Sequence, residues 1–201
     1  MRKIAVLYTG SSHQHRSWTE PKYRQFITDL LYLPKLADIN LQDYDVLIIP
    51  SQIHQGLVTH HMPQIHEFLN SGKVVVALGA QPNDWFSGHR WEHRPTNFWW
   101  WLEPGARSGL VVSSPSHDLF SYIQLEDATW HYHGVFFPEH KIESLIDIDQ
   151  DGSILYVDKQ STPGTLVMTT LDPEYHYGSY FMPATERFLD GFLPWLANGR
   201  I

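Results

Sequence analysis

The chain has 201 residues, 42% hydrophobic and 18% charged, which suits a single globular domain over 1–201 with a sizeable core. Its net charge of -8, from 22 acidic against 14 basic residues, argues against a nucleic-acid partner, because few cations are available to replace the counterions condensed on a phosphate backbone. There is no cysteine, so disulfides, thiolate zinc sites and thiol nucleophiles are excluded, and the 13 His and 8 Trp become the residues in which specific chemistry is sought.

Met1-Arg2-Lys3 is followed by five apolar residues before Thr9-Gly10, too few for a signal-peptide core or a membrane span, so a cytoplasmic protein with no membrane partner is expected. Lys3–Tyr8 reads as a buried parallel strand opening into a turn at Thr9-Gly10-Ser11-Ser12. Pro21 suits a first helical position with Thr19 or Glu20 as cap, and Tyr23, Phe26, Ile27, Leu30 and Leu31 recur at helical spacing, predicting a helix there. Leu47-Ile48-Ile49 is a second core strand ending at Pro50-Ser51. Thr59–Asn70 reads as a helix with Pro63 in its first turn and Gly72 just past its end. Lys73–Leu78 is a third strand, closed by the turn Gly79-Ala80-Gln81.

Strands alternating with helices imply right-handed βαβ units and an α/β fold, its parallel sheet covered on both faces. A site is then expected at the C-terminal strand ends, on 9–18, 50–55 and 79–85. From Gln81 to Gly109 periodicity is lost in a tryptophan-rich excursion holding Trp85, Trp91, Trp99, Trp100 and Trp101. Trp130–Phe137 looks like a strand, Ile142–Lys159 like a β-hairpin around Asp151-Gly152, and Thr165–Thr170 like another strand. A closing helix buries Phe188, Leu189, Phe192, Leu193 and Leu196, with Pro194 in its last turn.

Several constellations bear on chemistry. Asp147, Asp149, Asp151, Gly152 and Asp158 match a calcium-loop spacing, but their flanks alternate like strands, which favours the hairpin. Ser116-His117-Asp118 has the letters of a hydrolytic triad, yet consecutive side chains diverge and cannot align. His131 and His133, two apart in an apparent strand, would share a face as paired metal ligands do; His13 with His15, and His89 with His93, are looser pairs. The tryptophans of the excursion suit either stacking on sugar rings beside polar neighbours such as Asp84 and Asn97, or burial in a core or subunit interface.

The order of elements, together with Thr96-Asn97-Phe98-Trp99-Trp100-Trp101, Ser114-Pro115-Ser116-His117-Asp118-Leu119-Phe120, Ile123-Gln124-Leu125-Glu126-Asp127 and Pro173-Glu174-Tyr175-His176-Tyr177, resembles the ThuA-like (trehalose utilisation) family of the class I glutamine amidotransferase-like superfamily. The resemblance covers nearly the whole chain. It implies a three-layer α/β/α flavodoxin-like sandwich, here with a mainly parallel sheet plus a C-terminal β-hairpin, and a link to small carbohydrates such as trehalose-type or oxidised disaccharides. The departures are specific: amidotransferases carry a cysteine at the elbow that here is Leu78–Gln81, and ThuA-like proteins tend to carry a histidine there. Where the family tends to have Gly-His in the last motif, this chain has Glu174-Tyr175, with His176 next, and a histidine after the second core strand is replaced by Gln52, with His54 nearby. Glutaminase activity is therefore not expected.

Three functions follow as expectations. The first is an enzyme on a small-molecule carbohydrate ligand, using acid/base chemistry from His13 or His15, Asp84, Glu174 and His176, with Gln52, His54, Gln81, Trp85, Asn97 and Trp101 as ligand-binding residues. The second is a non-catalytic binding or assembly module on the same scaffold; the many tryptophans make a homo-oligomer the expected partner state. No cofactor is assigned outright, and the third function adds a divalent metal held by His131, His133 or His176 with a carboxylate.

Overall fold

The computed structural model describes residues 1–95, 103–180 and 182–201. Five strands form a parallel core: β1 (Ile4–Tyr8), β2 (Asp29–Tyr32), β3 (Val46–Ile49), β4 (Val74–Leu78) and β10 (Thr165–Thr169), in the spatial order β2-β1-β3-β4-β10. Antiparallel strands extend this sheet: β9 (Ser153–Asp158) lies against β10, β8 (Glu143–Ile148) forms the expected hairpin with β9, and β6 (Leu110–Val112) pairs with β8. β5 (His89–His93) and β7 (Gly134–Pro138) make a second antiparallel pair, which joins β9 at Phe136 opposite Ser153.

Alternation along the core strands sends side chains into two apolar layers. Ile4, Val6, Val46, Ile48, Val76 and Leu78 face Trp18, Tyr23 and the stripe Phe188, Leu189, Phe192 and Leu193 of α5 (Pro183–Asn198). Ala5, Leu7, Leu47, Ile49, Val75 and Ala77 face Val58, Met62, Ile65 and Phe68 of α3 (Gln55–Asn70). With α1 (Ser12–Thr19), α2 (Pro21–Arg24) and α4 (Pro173–Gly178) beside α5, this is a flavodoxin-like α/β sandwich. Among the described residues no helix is long and apolar enough to cross a membrane.

The structure corrects three boundaries. The helix expected to run through Leu31 stops at Arg24, because 29–32 pair with β1 as a parallel edge strand, turning Leu31 into one layer and Leu30 toward the other. Helix α3 starts at Gln55, capped by the His54 side chain, so Pro63 lies in its interior rather than its first turn. The strand expected from Trp130 begins only at Gly134, where the ladder with β5 ends opposite His93; His131 and His133 therefore lie in the segment before β7. The irregular excursion contains β5, and Trp99, Trp100 and Trp101 lie outside the described residues.

Candidate functional site

Three turns meet where the parallel strands end. Gly79, after β4, has φ of +74°, and a Cβ there would sit 2.6 Å from the Ser51 Cβ, so only glycine lets the β3 and β4 turns approach this closely. Its N–H donates to the Leu171 carbonyl at 2.9 Å, tying in the turn after β10. That turn carries Asp172, and Pro173 at the first helical position of α4 sends the chain back so that Glu174 is aimed inward.

Glu174 is the centre of the assembly and is fully buried. The Ser51 N–H donates to its Oε1 at 2.6 Å, the Ser17 hydroxyl donates to its main-chain carbonyl at 2.6 Å, and Gln14 Nε2 donates to the Ser51 carbonyl at 3.1 Å. Its Oε2, the Ser51 hydroxyl and the Oε1 atoms of Gln14 and Gln81 are buried with no partner among the described residues. Burial pushes the Glu174 carboxyl up to about 7, with the Ser51 bond opposing and the neighbouring Asp172 charge assisting. Such a group can give or take a proton near neutral pH.

Asp172 behaves in the opposite way. Burial alone would raise it, but contact with His176 (Nε2 to Oδ1, 3.3 Å), the more distant His133 (Nε2 to Oδ2, 3.9 Å) and the Trp130 indole N–H (3.3 Å) hold it below the ordinary carboxylate range. His131 stands edge-on to His176, ring centroids 4.5 Å apart, and 5.1 Å from the His133 ring. Burial, then repulsion by His176, lowers the His131 imidazole to about 4. His131, Asp172 and His176 each bring one nitrogen or oxygen within 4.8 Å of the others, a grouping that could hold a cation.

Of the site residues expected from sequence, Glu174 and His176 lie together on α4, and Gln81 is buried in the turn after β4, where its Nε2 donates back to the Leu78 carbonyl. His13 is half-buried and edge-on to the Tyr175 ring at 5.0 Å, and burial lowers its imidazole. His15 is exposed beside the Tyr8 ring, and Asp84 is exposed in the loop after β4. Gln52 is exposed with φ of +54°, and His54 is occupied in accepting the Leu57 N–H at the start of α3. Trp85 is buried rather than open to a ligand: its indole packs in the α3-side core and its N–H donates to the Thr59 hydroxyl at 2.8 Å, the usual accommodation of a large apolar ring with one polar atom. Asn97 and Trp101 lie outside the described residues.

Sequence reasoning missed Asp172, and it expected the segments 9–18 and 50–55 without singling out Gln14, Ser17 or Ser51 within them. A signal existed for Asp172: it directly follows the apolar run Thr165–Leu171 and precedes a proline, the place where an α/β strand delivers a side chain to its site.

Beside this cluster lies a cavity of about 320 Å³ lined by Arg16, His176, Tyr177, Tyr180, Met182 and Glu186. The Arg16 guanidinium lies 3.3 Å over the Tyr180 ring. A larger hollow of about 570 Å³ sits at the opposite strand ends around Arg2, Asp45 and Lys73, where a lysine–carboxylate pair at 3.5 Å is the main polar feature.

Comparison with protein-family models finds no match, and neither does comparison with curated proteins. Solved structures do match. A cytoplasmic protein from Salmonella typhimurium LT2 superposes with a TM-score of 0.60 at 11% identity, covering 98% of this chain and 100% of that one. A protein described as ThuA-like, from Bacteroides uniformis, gives 0.56 at 12% identity over 94% of this chain and 89% of that one. A β-galactosidase from Bacillus circulans sp. alkalophilus gives 0.52 at 14% identity; 95% of this chain is covered, but it spans only 30% of the length of the enzyme. The likeness is one of fold.

Proposed function

We propose that the chain binds a small carbohydrate, of the trehalose or oxidised-disaccharide kind, in the cavity beside the C-terminal strand ends and acts on it by acid/base chemistry, without glutaminase activity. One observation carries this reading: His176 belongs both to the buried group with His131 and Asp172 and to the wall of the 320 Å³ cavity. Glu174 and Asp172 lie behind it, two carboxylates held at opposite protonation tendencies, the arrangement that separates an acid from a base. Tyr177 and Tyr180 offer ring faces to a sugar, while Arg16 and Glu186 offer hydrogen bonds to hydroxyls. The absence of cysteine rules out a thiol intermediate. Fold neighbours that include a ThuA-like protein and a β-galactosidase support the sugar class.

The test is a thermal-shift titration of the full chain against disaccharides and their keto derivatives. A saturable shift lost in His176→Ala is expected; the absence of any shift across the panel overturns the reading.

A second reading, a non-catalytic binding or assembly module, is favoured by the near-complete burial of Gln14, Ser51 and Glu174, none more than 3% exposed. It predicts a stable homo-oligomer by light scattering whose formation is indifferent to His176→Ala.

A further inference from the structure

His89, His140 and Asp158 come from three separated stretches of chain and converge on one point. Asp158 ends β9 and lies opposite Leu166, early in β10, so it belongs to the end of the sheet away from Asp172. His89 begins β5, and His140 follows the end of β7. The Nε2 atoms of the two histidines are 3.1 Å apart, and they lie 3.2 Å (His89) and 3.1 Å (His140) from the same oxygen, Asp158 Oδ2.

This near-equilateral triangle has the dimensions of one face of a zinc coordination tetrahedron. Metal–nitrogen and metal–oxygen bonds of about 2.0–2.1 Å place neighbouring ligand atoms about 3.3 Å apart. The surroundings fix each ligand. The other nitrogen of His89, Nδ1, is 2.6 Å from the Tyr156 hydroxyl, the outer partner that leaves Nε2 to face a cation. The Gln160 and Ser161 N–H groups donate to Asp158 Oδ1 at 2.8 and 3.0 Å, and the Ser161 hydroxyl donates to Oδ2, orienting the carboxylate. Gly88, with φ of +77°, leaves the space into which the His140 ring packs; a Cβ there would meet its Cε1 at 2.5 Å. His89 and Asp158 are buried, whereas His140 is part-exposed, leaving a way in from solvent.

We propose that His89 Nε2, His140 Nε2 and Asp158 Oδ2 bind a divalent transition-metal cation of the zinc class, with water in the fourth position, and that the cation fastens the β5–β7 pair to the end of β9. The site is independent of the carbohydrate reading and lies away from the cluster around Asp172.

The test uses the full chain stripped with a chelator and titrated with Zn²⁺ alone by calorimetry, then with Co²⁺ read by its visible ligand-field bands. One equivalent should bind, with a rise in melting temperature. His140→Ala, which removes a part-exposed side chain and leaves the fold in place, should weaken binding by at least about 100-fold and abolish the rise, and Tyr156→Phe should weaken it on the order of 10-fold. His176→Ala should leave binding intact. The proposal is overturned if the wild-type chain shows no saturable binding, if His140→Ala binds as tightly as wild type, or if binding is lost in His176→Ala instead.

Discussion

The two ends of the sheet organise buried polar groups in contrasting ways. At the C-terminal strand ends, Glu174 Oε2, the Ser51 hydroxyl and the Oε1 atoms of Gln14 and Gln81 are buried with no partner among the described residues, which costs stability. At the opposite end every ligand atom of the His89–His140–Asp158 group has a neighbour at hydrogen-bond distance. Groups kept unsatisfied inside a folded chain are suited to a substrate or a moving proton, whereas groups already oriented by their neighbours are suited to holding something still.

The largest expected effect breaks the first end outright. Gly79→Ala places a Cβ against Ser51 at a positive φ and should lower stability by about 3 kcal/mol or more, read as a fall in the urea midpoint. An unchanged midpoint would mean that the β3 and β4 turns do not need their close approach.

The two carboxylates of the crevice should then separate by the sign of their pH dependence. Glu174 is raised in the fold, so its contribution is fully present below its unfolded value near 4.5 and is lost as pH rises through about 7. Glu174→Gln should remove that decline, worth roughly 3 kcal/mol at alkaline pH. Asp172 is depressed, so its contribution is present above its unfolded value near 3.8 and is lost as pH falls through the lower folded value. Asp172→Asn should cost about 2 kcal/mol at neutral pH and flatten the acid limb. Unfolding curves measured from acid to alkaline pH decide this, and equal slopes for the two variants would refute the contrast.

The smallest effect belongs to the far end without metal. In chelator, His140→Ala should change stability by less than about 1 kcal/mol, because the side chain is part-exposed and its partners keep one another. A much larger loss under those conditions would make the histidine a packing residue first.

Sequence patterning determined the elements of the parallel core, because a buried strand must be an apolar run closed by a turn: 4–8, 46–49, 74–78 and 165–169 all carry that signature, as does the hairpin at Asp151-Gly152. Glu174 and His176 are singled out by the family resemblance rather than by patterning, and the structure carries both on α4, just after β10. Leu30 and Leu31 show the limit, since their helical spacing yielded to the pairing that β1 offers at its edge. Only the tertiary structure decided that Trp85 belongs to the core, that Asp172 faces His176, and that His89 meets His140 and Asp158 rather than His93. Periodicity reports which face of one element is buried; it carries no information on which residue of another element, fifty or seventy positions away, will share that burial.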